Sequence, residues 1–285
     1  MKALPLLLNY ALVASCIMEA SSDITIYGSL SATEEEQLIQ AVIDGNSQQV
    51  KELLASGVNP NVSISDEQES PLYLAIGDKS YAECDGTHLE TRFRAGQTDL
   101  AKVLLEAGAD PNLPSTIQLH TPLMEAARTG DIALAEILLE KGADLHAVSS
   151  TGMTALHFAA AEGSAEMVQF LLSKGAHPNI ATTDAPFLNI ECAKGVTPLH
   201  LAASAGNAEA ITYLLQAGAY INTPDDEGDT PYFYACAEFD GACVQILQAA
   251  GADKKHRNKC GNTAELEAYY KWKYSLPHFV ISWLR

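Results

Sequence analysis

The sequence predicts an all-α solenoid of helix-turn-helix units joined by hairpin loops, about six units and a partial seventh. Two observations carry that prediction. The run Thr197-Pro198-Leu199-His200-Leu201-Ala202-Ala203 recurs as Thr121-Pro122-Leu123-Met124-Glu125-Ala126-Ala127 and Thr154-Ala155-Leu156-His157-Phe158-Ala159-Ala160, and more loosely from Thr230-Pro231-Tyr232. Each copy is followed at a fixed distance by a turn of one kind: Gly142-Ala143-Asp144, Gly175-Ala176-His177, Gly218-Ala219-Tyr220 and Gly251-Ala252-Asp253. Pro122 to Ala155, Pro198 to Pro231 and Pro231 to Ala264 are each 33 residues apart. Self-similarity at that period marks a stacked array, in which each unit buries its apolar face against its neighbours.

Each recurring residue has a physical reason. Thr, or Ser70 in one copy, stands where an N-cap oxygen satisfies free helix amides, and Pro follows at the first helical position, where its missing N–H costs nothing. The Ala pair lets first helices approach closely. Leu104-Leu105, Leu138-Leu139, Leu171-Leu172 and Leu214-Leu215 supply the buried stripe of the second helices. The Gly of each Gly-Ala-Asp turn is expected just past the second helix in a left-handed conformation. Thr33-Glu34-Glu35-Glu36 followed by Leu38, Val42 and Ile43 reads as a polar-faced first repeat that closes the amino-terminal end.

The pattern resembles the ankyrin repeat over residues 33–268, with units at about 33–62, 66–112, 117–147, 150–180, 194–222 and 226–254 and a partial one at 259–268. The resemblance implies that His157 and His200, fourth in their motifs, tie the loops of adjacent repeats together rather than form a catalytic pair. It also implies a concave groove lined by loop tips and first-helix ends. Carried onto this chain, those positions are Asp66, Glu67 and Glu69, then Ile117, Gln118, His120, Arg128 and Thr129, then Ser150, Thr151, Met153, Ala161 and Glu162. Lys194, Val196, Ser204 and Ala205 follow, then Asp226, Glu227, Asp229, Ala237 and Glu238. Gln68 and Leu119 stand in place of the loop glycine, and Phe239-Asp240 in place of the usual Gly-His, so other loop shapes are expected there.

Two copies are stretched. Gly77 to Gly96 separate the paired helices of the second repeat, and Ala181 to Ala193 lengthen the finger between the fourth and fifth. Entropy penalises such loops only slowly with length, so drift explains them as readily as function, which collects on long loops.

With 36 acidic and 17 basic side chains the formal charge is −19, which argues against nucleic acid or anionic lipid as a partner and favours a basic or neutral protein. The acidic groups at Asp66, Glu67 and Glu69 and at Asp225, Asp226, Glu227 and Asp229 read as solvated turn residues, with an electropositive docking site as the alternative. The second run lacks the spacing of a calcium loop.

The first fifteen residues read as an export signal: Met1-Lys2 is a minimal positive start, and Ala3 to Ala14 is an apolar run too short to cross a bilayer. Val13-Ala14-Ser15-Cys16 resembles the lipobox of bacterial lipoproteins, which implies a lipid on Cys16, a linker over 16–32 and a periplasmic or outer-membrane destination; soluble export and an uncleaved anchor are the alternatives. An exported chain would carry Cys84, Cys192, Cys236, Cys243 and Cys260 into an oxidising compartment. Cys236 and Cys243 could face each other across a helix pair, but buried free thiols are the simpler reading. No C-x-x-C is present, and Cys84 with His88 is half a zinc site.

Neither a nucleophile elbow, a phosphate-binding glycine loop nor H-E-x-x-H occurs, so no cofactor, metal or catalytic residue is expected. Cys84, Asp85 and His88 are the only local nucleophile, acid and base. The tail 269–285 carries Tyr269, Tyr270, Trp272, Tyr274, Phe279, Val280, Ile281, Trp283 and Leu284 and is expected to cap the last repeat, a partner or membrane contact being the alternative. Together the residues point to a monomeric, non-catalytic protein-binding module of the bacterial envelope. Alternatives are an exported inhibitor or immunity protein, a host-directed secreted effector and a cysteine-dependent enzyme.

Overall fold

A computed structural model describes residues 33–62, 70–76, 98–115, 118–162, 164–183, 194–238 and 240–275, with side chains through Tyr269. The export segment with Cys16, the loop residues Asp66, Glu67, Gln68, Glu69 and Ile117, most of the two insertions with Cys84, His88 and Cys192, Phe239, and residues 276–285 lie outside the described residues.

Thirteen helices and no strand are found among the described residues. They pair as α1 (Glu34–Ile43) with α2 (Ser47–Ala55), α3 (Pro71–Ile76) with α4 (Thr98–Glu106), α5 (Pro122–Thr129) with α6 (Ile132–Glu140), and α7 (Ala155–Ala161) with α8 (Ala165–Ser173). Then follow α9 (Pro198–Ser204) with α10 (Ala208–Gln216) and α11 (Pro231–Ala237) with α12 (Gly241–Ala249), and last α13 (Ala264–Ser275). First helices stack on first helices from one repeat to the next, and second helices pack on each other at α2–α4, α4–α6, α8–α10 and α10–α12. α13 packs on α11 and continues past the expected boundary at 268, so the tail begins as helix.

The stack has one continuous apolar core. Leu104, Leu138, Leu171 and Leu214 are fully buried, each contributing about 2 kcal/mol on the burial scale. The second leucine of each pair is buried only at Leu105; Leu139, Leu172 and Leu215 pack at the core's edge. Ala126, Ala127, Ala159, Ala160, Ala202 and Ala203 are also fully buried, which is what close packing of first helices requires.

Caps fix the helix starts. Thr33 and Glu36 close a reciprocal capping box on α1, with Oγ1 accepting from the Glu36 amide at 3.2 Å and the Thr33 amide donating to Glu36 Oε2 at 2.8 Å. Second helices are capped by Asn46, Asp131, Ser164, Asn207 and Asp240, whose side chains accept from amides of the first turn. The expected first-helix cap holds at Ser70 and Thr121, which accept from Tyr73 and Met124 amides. It fails at Thr154 and Thr197. There the following histidine turns Nδ1 back to the threonine, taking its main-chain N–H at 3.0 and 3.1 Å and contacting its hydroxyl at 2.9 and 2.8 Å.

The hairpin fingers are held by one repeated device. The first residue of each finger is buried, and its side-chain oxygen accepts amides of its own turn: Ser115 from His120, Ser149 from Thr151 and Met153, Thr182 from Val196, Asp225 from Glu227 and Asp229, and Asn258 from Cys260 and Asn262. Asp225, only 6 % exposed, is therefore an inward cap; Tyr234 also donates to its Oδ2 at 2.8 Å. Fingers hand on to each other through main-chain bonds from Ser150 N to Gln118 O, Thr183 N to Thr151 O, Asp226 N to Lys194 O and Lys259 N to Glu227 O, all 2.9–3.0 Å. The finger carrying the Ala181 to Ala193 insertion keeps its base, because Thr182 N still reaches Val196 O at 2.9 Å.

Gly175 takes φ +99° just past α8 with open space around its α-carbon, so its glycine answers to backbone conformation alone. Leu119 occupies the finger position of Gly152 and adopts φ +55°, the one non-glycine residue with positive φ among those described. The finger there differs as expected: Ser115 N reaches His120 O, five residues on, where Ser149, Asp225 and Asn258 N reach Met153, Asp229 and Asn262 O, four residues on, while Leu119 itself bears the strain of a glycine conformation.

Candidate functional site

The face built by fingers and first-helix ends places the expected contact residues unevenly. Thr129, Glu162, Ser204, Asp226, Glu227 and Glu238 are exposed, as are Ala161 and Ala205, whereas Gln118, Ser150, Met153, Lys194, Asp229 and Ala237 are half-buried. Two positions turn inward, a correction to the sequence reading. Val196 is 5 % exposed and Thr151 6 %. Val196 lies in the stem where Thr182 and His157 converge on its main chain, and the Thr151 hydroxyl is paired with Ser149 Oγ at 2.9 Å. Asp229 is committed in part, since its carboxylate accepts from Asn258 Nδ2 at 2.9 Å.

His120 and Arg128 meet through a residue the sequence reading passed over. Glu125 is 4 % exposed. Its Oε1 accepts from the Tyr73 hydroxyl at 2.9 Å and lies 3.2 Å from His120 Nδ1, while Oε2 accepts from Arg128 Nε at 2.9 Å. Burial pushes this carboxyl up. The His120 bond, the Arg128 charge and bond, and the Tyr73 bond outweigh it and hold the group at about 2. The corresponding residue of the second, fourth, fifth and sixth repeats is Leu74, Phe158, Leu201 or Tyr234. An ionised cluster thus stands in the third repeat where these four carry an apolar or aromatic side chain, with His120 edge-on to Phe158 at 4.7 Å between centroids. The available signal was that substitution within the motif; the partner Tyr73 was hidden because it comes from the preceding repeat.

The two motif histidines serve the stack. His157 and His200 are fully buried, and each Nδ1 accepts a main-chain N–H, which requires it to be unprotonated and leaves Nε2–H to donate. Nε2 reaches Val196 O at 3.2 Å and Asp229 O at 3.1 Å, in the finger of the following repeat. Burial depresses the His157 pKa to about 4 and lowers that of His200 as well. In α11, Phe233 replaces the histidine, and the Thr230 hydroxyl is buried without a partner.

Cys236 and Cys243 are buried free thiols, and Cys260 is an exposed one. Burial pushes the Cys243 thiol up to about 12, reinforced by Asp240, which makes it a poor nucleophile. Among the described residues no group of three or more His, Cys, Asp or Glu is placed to hold a metal ion, and no helix is long and apolar enough to cross a membrane.

A two-layered helical repeat array with projecting fingers and an exposed side-chain row is the architecture of a binding scaffold. A family model described as ankyrin repeats (3 copies) matches residues 88–182 and 183–258, more than half of the 285-residue chain, and the chain belongs to the ankyrin-repeat family. Such repeats form protein–protein interaction modules, usually non-catalytic. No curated protein matches the chain.

Proposed function

We propose that this chain is a non-catalytic module that binds one folded protein through its groove and works in the bacterial cell envelope. The observation that carries the binding reading is the row Thr129, Glu162, Ser204 and Glu238, one exposed polar side chain from the end of each successive first helix. Beneath that row, the finger caps and motif histidines occupy the scaffold's own polar groups, so recognition rests on a rigid base. An acid excess of 36 over 17, with Glu162, Asp226, Glu227 and Glu238 exposed on this face, suits a partner that presents basic or neutral surface. Each chain acts as a monomer.

Location rests on Met1-Lys2, the apolar stretch Ala3 to Ala14 and the Val13-Ala14-Ser15-Cys16 motif, which together favour export and a lipid anchor at Cys16. Labelled palmitate appearing on the native chain but not on Cys16→Ser, with envelope retention lost in that variant, supports the anchor; equal labelling of both refutes it. Groove substitutions with whole-cell crosslinking test the binding.

A further inference from the structure

The loops that follow the second helices are joined from repeat to repeat by an asparagine clamp. Asn61 Nδ2 donates to Gly108 O at 3.2 Å while its Oδ1 accepts from Asp110 N at 2.7 Å. Asn112 treats Gly142 and Asp144 the same way at 3.0 and 2.7 Å, and Asn179 treats Gly218 and Tyr220 at 3.0 and 2.8 Å. Asn222 Oδ1 accepts from Asp253 N at 2.9 Å. The junction between the third and fourth repeats breaks the series. His146 stands at the clamp position and His177 at the position of Asp110 and Asp144, and their rings stack with centroids 4.8 Å apart and planes 27° from parallel. Both residues are exposed.

We propose that His146 and His177 form a two-imidazole site for a divalent transition-metal ion such as Zn²⁺, which replaces the missing clamp. Imidazole nitrogen is the protein ligand best suited to zinc, copper and nickel, whereas magnesium and calcium take oxygen. With zinc–nitrogen bonds of about 2.0–2.1 Å, two nitrogens on one tetrahedral ion stand roughly 3.3 Å apart. The ring centroids are 4.8 Å apart, close to that spacing, and the stacked rings must turn about their side-chain bonds for both in-plane nitrogens to face one ion. No third ligand of the His, Cys, Asp or Glu kind joins them among the described residues, so water fills the remaining positions and a metal-bound partner group could enter there. Occupancy then stabilises the array by mass action at the one inner junction where asparagine does not. The proposal stands apart from the groove, since neither histidine belongs to its row.

Zinc titration of the full chain by calorimetry, paired with thermal unfolding, tests the site. His146→Asn recreates the clamp and keeps the fold, because asparagine accepts from the main-chain amide of its neighbour whatever that residue is, as Asn179 does with Tyr220. The native chain is expected to bind one zinc ion more than His146→Asn or His177→Tyr, which copies Tyr220, and zinc to raise its melting temperature more than theirs, with no such effect of magnesium. The exposed Cys260 is present in all three proteins, so any zinc it holds cancels. Equal zinc stoichiometry and equal thermal shifts in the native chain and both variants would overturn the proposal.

Discussion

His157 Nε2 donates to the carbonyl oxygen of Val196 at 3.2 Å, joining the first helix of one repeat to the finger of the next. His200 repeats the contact with Asp229 one unit on. These bonds set the spacing of the fingers and make folding sensitive to the charge state of the two rings.

Acid should loosen the array through His157 first. Its folded pKa of about 4 lies below the ordinary 6.5, so its stability contribution is complete above 6.5, where both states are neutral. The contribution is lost as pH falls from 6.5 towards 4 and the unfolded chain takes up the proton first. The loss approaches about 3 kcal/mol for this residue. Urea unfolding across that window should show the decline, with a shallower one in His157→Gln; superimposed profiles would refute it.

Glu125 acts in a lower window. Its folded pKa of about 2 sits below the ordinary 4.5, so its contribution is present above 4.5 and disappears as pH falls to 2. Glu125→Ala leaves Arg128 and His120 without their shared carboxylate and should cost about 3 kcal/mol at neutral pH. Glu125→Leu, which copies Leu201, should cost less because an apolar side chain fills the space. Equal losses in the two variants would show that the lost charge pairing, not the volume, sets the cost there.

The finger turn at Leu119 should improve with glycine. Its φ of +55° is strained for leucine, and at 46 % exposure the side chain contributes little burial, so Leu119→Gly should stabilise by about 1 kcal/mol. Gly175→Val does the reverse at φ +99° and should lower stability by more than about 1 kcal/mol. Thermal melting of both variants checks the opposite signs.

Threonine hydroxyls at the motif start should differ by repeat. The Thr230 hydroxyl is buried and unpartnered, so Thr230→Val should be neutral or stabilising, whereas Thr197→Val gives up the contact with His200 and should cost about 1 kcal/mol. Identical effects in equilibrium unfolding would contradict this reading of the histidines.

The array was legible because its signals are local and repeat: Thr-Pro starts, Ala pairs and left-handed glycines such as Gly175 announce themselves within one unit. The structural role of His157 and His200 followed from their place in the motif. What the pattern hid depends on side chains that meet from different units. Asp225 looked like part of an acidic tip and is an inward cap. Val196 and Thr151 sit at recognition positions by register but are drawn into finger stems. Glu125 is ionised and buried because Tyr73, His120 and Arg128 converge on it, and Leu119 keeps a glycine conformation because the turn outweighs its strain.

Crosslinking with mass spectrometry in whole cells tests groove binding most directly. The native chain is compared with one carrying Thr129→Arg, Glu162→Arg and Ser204→Arg, exposed positions whose replacement should leave the melting temperature unchanged. Groove recognition predicts one dominant protein partner with basic or neutral surface, recovered with the native chain and lost with the triple variant. The same partner recovered in equal amount with both chains would contradict it.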